Sequence, residues 1–323
     1  MKILVIFTGG TIGSKTKNGW ISADDSTKYT LINSYKNKSN IDFTCHNPYT
    51  ILSENLSATQ INILQKEIAK NINNGYDGII VTHGTDTLQY TSTAIEYAFS
   101  NTKIPIVFVS SSLPLENKNA NGYANFEAAV EFICQKISTG VFVSYKNSDS
   151  SLVNFYIPST ICRHAECSAD IYSINAKVFA SYNGVIKLEN CRYNFSLESQ
   201  VTDYIKNPEI LVIDSYPGNS YSYSLENVNA VVLNPYHSAT LCTSSEAFQN
   251  FCVSAKKKNI PVFLVNAPGG ITYETSKEYN DLGIITLPLC TFVSAYVKLW
   301  LGISRNYDLK EFMKNAISNE YNI

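Results

Sequence analysis

The sequence lacks three features that would each assign it to a broad class of protein. No apolar run approaches the roughly 20 residues that a membrane-spanning helix requires. The 25 basic residues do not exceed the 27 acidic ones, and a formal charge of −2 argues against a nucleic-acid binder held mainly by phosphate contacts. The eight cysteines form no Cys-x-x-Cys pair, so neither a zinc site nor a disulfide framework is expected.

The chain does contain enough apolar sequence for a sizeable core, at 45% of 323 residues. Its first apolar run is ended by Thr8-Gly9-Gly10-Thr11, too early for the central region of a signal peptide. We therefore interpret that run as a buried strand. A cytoplasmic location is expected, because the scattered cysteines fit a reducing compartment.

Short apolar runs alternate with segments of helical periodicity. Strands are predicted at 2–7, 78–81, 104–109, 140–144, 210–213, 230–233, 261–265 and 283–287. Helices are predicted after the capping-box pattern Ser57-x-x-Gln60, at 88–99 and 126–133, near Glu246–Lys257 with Thr243-x-x-Glu246 as its start, at 292–301 and from Asp308 through Ile317. This alternation is typical of an α/β fold.

Strands that are apolar throughout and separated by helices indicate a parallel sheet covered on both faces. The predicted fold is therefore α/β, with a mostly parallel, doubly wound sheet in a larger N-terminal domain and a smaller C-terminal α/β domain. Periodicity weakens at 187–207. We predict an N-terminal catalytic domain at 1–186, a linker at 187–207 and a C-terminal domain at 208–323.

A glycine-rich turn, Thr8–Gly13 (Thr-Gly-Gly-Thr-Ile-Gly), directly follows the first predicted strand. Its glycines permit a tight turn and close approach of the backbone to another group. The turn lacks both the G-x-G-x-x-G pattern and the lysine of a P-loop, so nucleotide binding is not indicated. A glycine-rich turn alone is more often structural than functional, but here the hydroxyl of Thr11 is held among the glycines.

A second polar segment, Val81–Thr87 (Val-Thr-His-Gly-Thr-Asp-Thr), lies between a predicted strand and a predicted helix. Helix capping by Thr85 or Asp86 would explain one or two of its polar side chains, but not the whole set. Asp86 could hold a substrate ammonium, while backbone N–H groups beside Thr85 could face a developing oxyanion. Two threonines in one crevice suggest acyl transfer, provided that a base or a cation activates the hydroxyl.

Together these two segments resemble the bacterial L-asparaginase/glutaminase family, in its cytoplasmic, type I branch. Weaker similarity at Ser53–Leu56, Ser110–Pro114, Asn121-Gly122 and Tyr216–Gly218 extends the resemblance over nearly the whole chain. The resemblance implies hydrolysis of the side-chain amide of L-asparagine, or of a related small amide, to the acid and ammonia. It also implies that no metal or organic cofactor is needed, and that the chain forms a homodimer or homotetramer.

The resemblance further implies roles for particular residues. The catalytic set is Thr11, Thr85 and Asp86. Thr11 would be the nucleophile that forms an acyl-enzyme, and Thr85 the second catalytic threonine. The substrate-binding set is Ser53, Glu54, Gly84 and Ser111. In it Ser53, with Asp86, would grip the amino-acid head group, and Ser111 would offer its backbone carbonyl to the amide nitrogen.

One departure from the family concerns a tyrosine in the loop after the first motif. The family has a Gly-Tyr-Ile-Pro-like stretch where this chain reads Gly19-Trp20-Ile21-Ser22. The indole of Trp20 donates a hydrogen bond but has no phenolate, so it cannot accept the nucleophile's proton. Tyr29, a few residues further on, is a candidate substitute.

A second departure concerns a lysine in a Thr-Thr-Lys-Ala-His-like stretch, where this chain has Cys162. Arg163 could supply the missing charge, although a guanidinium cannot shuttle protons as a desolvated lysine can. Cys162 is either a thiol activated by Arg163 or a small packed side chain. His164 is a candidate compensating base, but a surface-loop histidine is an equal alternative. His83 fits a buried orienting role better than that of a base.

The sequence therefore leads to one main hypothesis and two rivals. The main one is an asparaginase-type amidohydrolase that acts on a small amino-acid amide through a threonine acyl-enzyme. The first rival is a catalytically silent or retuned relative that binds an amino acid as a sensor or interaction partner. The second is an amidase component that acts on aminoacyl-tRNA, which would need a partner chain because the near-neutral charge disfavours direct RNA contact.

Overall fold

The computed structural model describes residues 1–17, 20–23, 27–35, 41–189, 192–194, 200–267 and 273–321. The chain divides into two compact units, Met1–Asp203 with Ile317–Asn319 and Tyr204–Ala316 with Glu320–Ile323. The expected domain limits, with a linker at 187–207, stay a prediction.

The first unit is built on an eight-stranded sheet with four helices. Its strands are β1 (Lys2–Phe7), β4 (Asp42–His46), β5 (Gly78–Thr82), β6 (Pro105–Val109), β7 (Gly140–Tyr145), β8 (Val153–Tyr156), β9 (Ala180–Tyr182) and β10 (Ile186–Leu188). A separate antiparallel pair is formed by β2 (Ser14–Lys17) and β3 (Trp20–Ala23). The helices are α1 (Thr27–Tyr35), α2 (Ala58–Asn71), α3 (Leu88–Phe99) and α4 (Gly122–Cys134).

The strand order in the large sheet is β10-β9-β8-β7-β6-β5-β1-β4. Pairing is parallel from β4 to β7 and antiparallel from β7 to β10. Alternate residues of β1 enter two different cores. Ile3 and Val5 pack in a core that also contains α4 residues, whereas Leu4 and Ile6 pack in one that contains residues of α2 and α3. The expected α/β class with a mostly parallel, two-faced sheet is confirmed.

The second unit contains a four-stranded parallel sheet. Its strands, in spatial order, are β11 (Ile210–Asp214), β12 (Ala230–Asn234), β13 (Val262–Leu264) and β14 (Ile284–Thr286). Its helices are α5 (Glu246–Lys257), α6 (Phe292–Ser304) and α7 (Leu309–Phe312). In the described ranges of both units, no helix is long and apolar enough to cross a membrane.

Helix boundaries follow the capping chemistry, with two corrections. The capping box of Ser57 and Gln60 at the start of α2 is confirmed. The helix expected near Glu246–Lys257 is confirmed, but its cap is not Thr243, because the hydroxyl of Ser245 accepts the hydrogen bond from the Phe248 N–H. Asp308 does cap α7, but that helix ends at Phe312 instead of continuing through Ile317.

The early end of α7 has a physical reason in a buried carboxylate of the first unit. Glu96 on α3 is fully buried and accepts hydrogen bonds from the Ser159 backbone N–H (2.7 Å) and hydroxyl (3.0 Å). The Ser318 hydroxyl (2.7 Å) and the Asn319 amide (2.8 Å) also donate to it. Because these side chains are bound to Glu96, residues 317–319 belong to the first unit and the chain cannot stay helical up to them.

Candidate active site

Polar segments that follow β1 and β5 meet at the carboxyl edge of the large sheet. The Thr8 hydroxyl donates to the Thr82 carbonyl oxygen at 2.7 Å. The Gly10 N–H donates to the Ile51 carbonyl oxygen at 2.8 Å, which draws in the segment before Ser53. In open α/β sheets ligands bind at this edge, because helix N-termini and loop backbone groups converge there.

Two glycines let the backbones of these segments touch. Gly10 has φ +76°, and a Cβ added there would lie 2.2 Å from the Gly84 Cα. A Cβ added at Gly84 would lie 2.5 Å from the Ser53 Cβ. No other residue type fits this approach without displacing a neighbour. Thr11 and Thr85 directly follow the two glycines in sequence, so the contact brings the two threonine-bearing segments together.

The Thr11 and Thr85 hydroxyls make no hydrogen bond to any residue within the described part of the chain. Both side chains are of intermediate exposure. Thr11 lies in a short 3₁₀ turn, Thr11–Gly13, and Thr85 lies just before α3. Among the described residues, two threonine hydroxyls next to this backbone contact are therefore uncommitted.

Asp86 is tied to Ser53 instead of capping α3. The Ser53 hydroxyl donates to Asp86 Oδ2 at 2.9 Å, and the Thr87 hydroxyl donates to the Ser53 carbonyl oxygen at 2.9 Å. Ser53 is buried while Asp86 is exposed. Since the N-cap of α3 is Thr87 and has no side-chain cap, helix capping does not account for Thr85 or Asp86. Glu54, in the same 3₁₀ turn as Ser53, is exposed.

Thr87 helps to build the candidate site, although the residues predicted from the sequence did not include it. Its hydroxyl holds the backbone of Ser53, whose side chain holds Asp86. The only sequence signal was its place as the last hydroxyl of the second polar segment. Nothing in that pattern indicated the partner 34 residues away.

His83 is buried at the end of β5 and stabilises the turn that follows it. Its Nδ1 donates to the Gly84 carbonyl oxygen at 2.8 Å, and its ring meets the edge of Phe108. Burial lowers the pKa of His83 from 6.5 to about 4, so the ring is neutral at neutral pH. This agrees with an orienting role for His83.

Lowering the pH is expected to destabilise the protein through His83. In the unfolded chain this imidazole takes up a proton near its ordinary pKa of 6.5, whereas the folded ring stays neutral down to about 4. Its contribution is therefore complete above about pH 6.5 and is lost as the pH falls towards 4, by up to about 3 kcal/mol in the free energy of unfolding. Urea unfolding at about pH 7 and pH 4.5 measures the loss.

A matched pair of variants isolates this effect. His83→Gln should flatten the pH dependence, whereas His237→Gln, at an exposed position, should keep the wild-type slope. Equal slopes in the wild type and His83→Gln would contradict the assignment.

The loop after β6 is fixed by the start of α4. The Asn121 side-chain oxygen accepts from the Ser112 N–H at 2.8 Å, and the Asn125 amide donates to the Ser110 carbonyl oxygen at 2.9 Å. Ser111 is fully buried, and its hydroxyl donates to the Leu113 carbonyl oxygen at 2.5 Å. The hydroxyl of Ser111 is thus committed to its own turn.

Of the residues at and near the two positions where the chain departs from the family, the structure describes the side chains of Cys162 and Arg163. The side chains of Trp20 and Tyr29 lie outside the described residues. Burial raises the pKa of the Cys162 thiol, and Arg163 is exposed. A small packed side chain therefore fits Cys162 better than an activated thiol does.

His164 contacts the second polar segment through a backbone carbonyl oxygen. Its Nε2 lies 3.0 Å from the Thr85 carbonyl oxygen and its Nδ1 lies 3.1 Å from the Asp170 carbonyl oxygen. Both ring nitrogens therefore lie within hydrogen-bond distance of a carbonyl oxygen, and the two alternatives from the sequence, a compensating base or a surface-loop residue, stay predictions. Among the described side chains, no three His, Cys, Asp or Glu residues are grouped so that they could hold a metal ion.

Comparison with known proteins finds similarity to asparaginases. A family model described as Asparaginase, N-terminal, matches residues 2–184. An L-asparaginase from Thermococcus kodakarensis is 25% identical, with 97% of this chain and 96% of that protein covered. One component of the glutamyl-tRNA(Gln) amidotransferase from Methanosarcina acetivorans is 32% identical over 146 residues, which cover 45% of this chain and 34% of that component.

A solved structure is similar along both units. The crystal structure of L-asparaginase I from Vibrio cholerae matches with a TM-score of 0.83 at 23% identity, covering 100% of this chain and 99% of that chain. At this identity the similarity shows the fold.

Proposed function

We propose that this chain, which belongs to the asparaginase family, is an amidohydrolase of small amino-acid amides. It would convert the side-chain amide of L-asparagine, or of a related small amino acid, to the acid and ammonia. The observation that carries the proposal is the Gly10–Gly84 backbone contact, with an uncommitted threonine hydroxyl directly after each glycine. Acyl transfer needs a nucleophile and a second polar group at the reacting carbon, and these two threonines, each next to one of the touching glycines, could supply them.

In the proposed reaction the Thr11 oxygen attacks the amide carbon of the substrate. The C–N bond then breaks, the proton lost by the hydroxyl goes to the departing nitrogen, and ammonia leaves an ester on Thr11. Water hydrolyses that ester and returns the hydroxyl and the free acid. Thr85 is proposed as the second catalytic threonine, and backbone N–H groups beside it would stabilise the tetrahedral oxyanion.

Asp86 and Ser53 are proposed to bind the substrate's amino-acid head group. The carboxylate of Asp86 is exposed, and it accepts one hydrogen bond from Ser53 while having about four acceptor sites. It therefore retains capacity for a substrate ammonium. Glu54 and Gly84 would border the same position, and the Ser111 backbone carbonyl would accept from the amide nitrogen.

A catalytically silent amino-acid binder is the second candidate. The observation that favours it is the neutral, packed Cys162 at the position where the resemblance implies a lysine. Such a protein would keep the Ser53–Asp86 pair for binding and lack a proton relay.

Ammonia release from a panel of L-Asn, L-Gln and their D-forms tests the proposal on the purified full chain. We expect release from L-Asn above all, with aspartate as the second product by mass spectrometry. Calorimetric binding of L-Asn without ammonia would establish the silent binder instead. If none of the four amino acids binds and none releases ammonia, both candidates are contradicted.

The setting of the protein is also a proposal. A homodimer or homotetramer in the cytoplasm, with no metal or organic cofactor, is what the family resemblance implies. A partner chain would be needed for an amidotransferase role of the kind named in the Methanosarcina acetivorans relative.

A further inference from the structure

A cavity of about 550 Å³ opens beside the loops that follow β6 and β7. This volume lies within the range of small-molecule binding sites. The described residues that line it come from segments 112–124, 146–150 and 169–170, all in the first unit. Of the described residues, Thr11, Thr85 and Asp86 are not among those that line it. The cavity is therefore separate from the candidate active site.

Side-chain amides hold the walls of this cavity in place. The Asn121 amide donates to the Lys146 carbonyl oxygen at 2.7 Å, and the Asn125 side-chain oxygen accepts from the Lys146 N–H at 2.8 Å. The buried amide of Asn147 donates to the Ile171 carbonyl oxygen at 2.8 Å and accepts from the Ile171 N–H at 2.9 Å. Because these bonds already fix the loops, a ligand would not have to order them, and such preorganisation favours binding.

The lining of the cavity carries more positive than negative charge. Lys118 is exposed and Lys146 is half-buried, and both line the cavity. Neither ammonium group forms an ion pair or a hydrogen bond with any residue that the structure describes. The carboxylate of Asp170 is already engaged, since the Ser148 N–H (2.8 Å) and hydroxyl (2.7 Å) donate to it. Two uncompensated cations at one cavity attract an anion.

The rest of the lining is partly apolar. Four hydrocarbon side chains belong to it, those of Leu113, Ala120, Ala124 and Ala169. A ligand that suits both parts has anionic groups at separate points and a short hydrocarbon skeleton between them. Inorganic phosphate has its charge at one centre and no carbon to place against these side chains.

We propose that this cavity binds a small organic anion with two or more carboxylate groups, which Lys118 and Lys146 hold. The inference does not rest on the proposed function, because the threonine pair and Asp86 lie outside the lining.

Isothermal titration calorimetry of the purified full chain with citrate and with succinate tests the proposal. At low salt, where such attraction is least screened, we expect saturable binding of at least one of them. Succinamide, a neutral analogue of succinate, should not bind, and inorganic phosphate should bind more weakly than the carboxylates. The proposal is overturned if neither carboxylate binds at millimolar concentration, or if succinamide or phosphate binds as tightly.

Lysine variants locate the bound carboxylate. Lys118→Gln should weaken binding by up to about fivefold, as for an exposed ion pair, and Lys146→Gln by more because its side chain is half-buried. The double variant should not bind. Lys103→Gln removes the same charge at an exposed position outside the cavity and should leave the dissociation constant unchanged. Wild-type binding by the double variant would contradict the proposal.

The Ser53–Asp86 pair is the other place where a carboxylate ligand would bind if it acted as a substrate analogue. Asp86→Asn should keep the wild-type dissociation constant, because Asp86 does not line the cavity. A changed constant in that variant would place the probe at the candidate active site and overturn the proposal. Ammonia release tests the proposed function separately, so the failure of one proposal leaves the other standing.

Discussion

Replacing Thr11 with alanine is expected to reduce kcat for amide hydrolysis by on the order of 10⁴-fold or more. The variant has no oxygen to form the acyl-enzyme, and direct attack by water would have to replace a positioned nucleophile. Folding should be unaffected, because the hydroxyl makes no hydrogen bond within the described residues. Steady-state ammonia release, together with the melting temperature of the variant, measures both effects.

Thr11→Ser provides the matched control because it keeps the hydroxyl. We expect it to retain substantial activity, and protein quenched during turnover to carry a substrate-derived mass that Thr11→Ala lacks. More than about a tenth of wild-type kcat in Thr11→Ala would rule out Thr11 as the nucleophile, since loss of a nucleophile costs far more.

Replacing Glu96 with alanine is expected to lower the free energy of unfolding of the first unit by about 3 kcal/mol. The fully buried carboxylate accepts from Ser159, Ser318 and Asn319, so alanine leaves several buried donors without an acceptor and opens a cavity. The midpoint of urea unfolding, followed by far-UV circular dichroism, measures the loss.

Two further variants sharpen the Glu96 result. Glu96→Gln keeps the shape but turns one acceptor into a donor facing other donors, so it should lose stability by a smaller amount. Glu226→Ala, at an exposed position, should change the midpoint little. A wild-type midpoint in Glu96→Ala would show that the hydrogen bonds of this carboxylate contribute nothing to stability.

Regular elements with strong periodicity were predictable from the sequence. The helix Glu246–Lys257 and the strand Lys2–Phe7 lie where the apolar pattern put them, because each buries a continuous apolar face or run. The strand Asp42–His46 was missed: among the described strands it pairs with β1 alone, and it has no fully buried residue, so it carries no apolar signal. The antiparallel strands β8 to β10, three or four residues long, were also missed.

The candidate site was predictable in outline but not in its connections. The glycine-rich turn and the second polar segment each follow a parallel strand, and the carboxyl ends of such strands share one edge of a sheet. The contact of His164 with Thr85 spans 79 residues and involves a backbone carbonyl, for which no side-chain pattern exists. The bond from Ser318 to Glu96 spans 222 residues and was hidden because neither residue's neighbours in the sequence indicate its partner.

The return of residues 317–319 to the first unit also bears on how the protein is made. Ribosomes synthesise the chain from its N-terminus, and early domains usually fold as they emerge. Here the α3 carboxylate lacks its bonds from Ser318 and Asn319 until residues 204–316 of the second unit have been translated. The carboxylate of the nascent first unit therefore lacks these hydrogen bonds until residues 317–319 are made. A stalled or truncated translation product would keep the first unit in this less stable state, in which cellular proteases could cleave it.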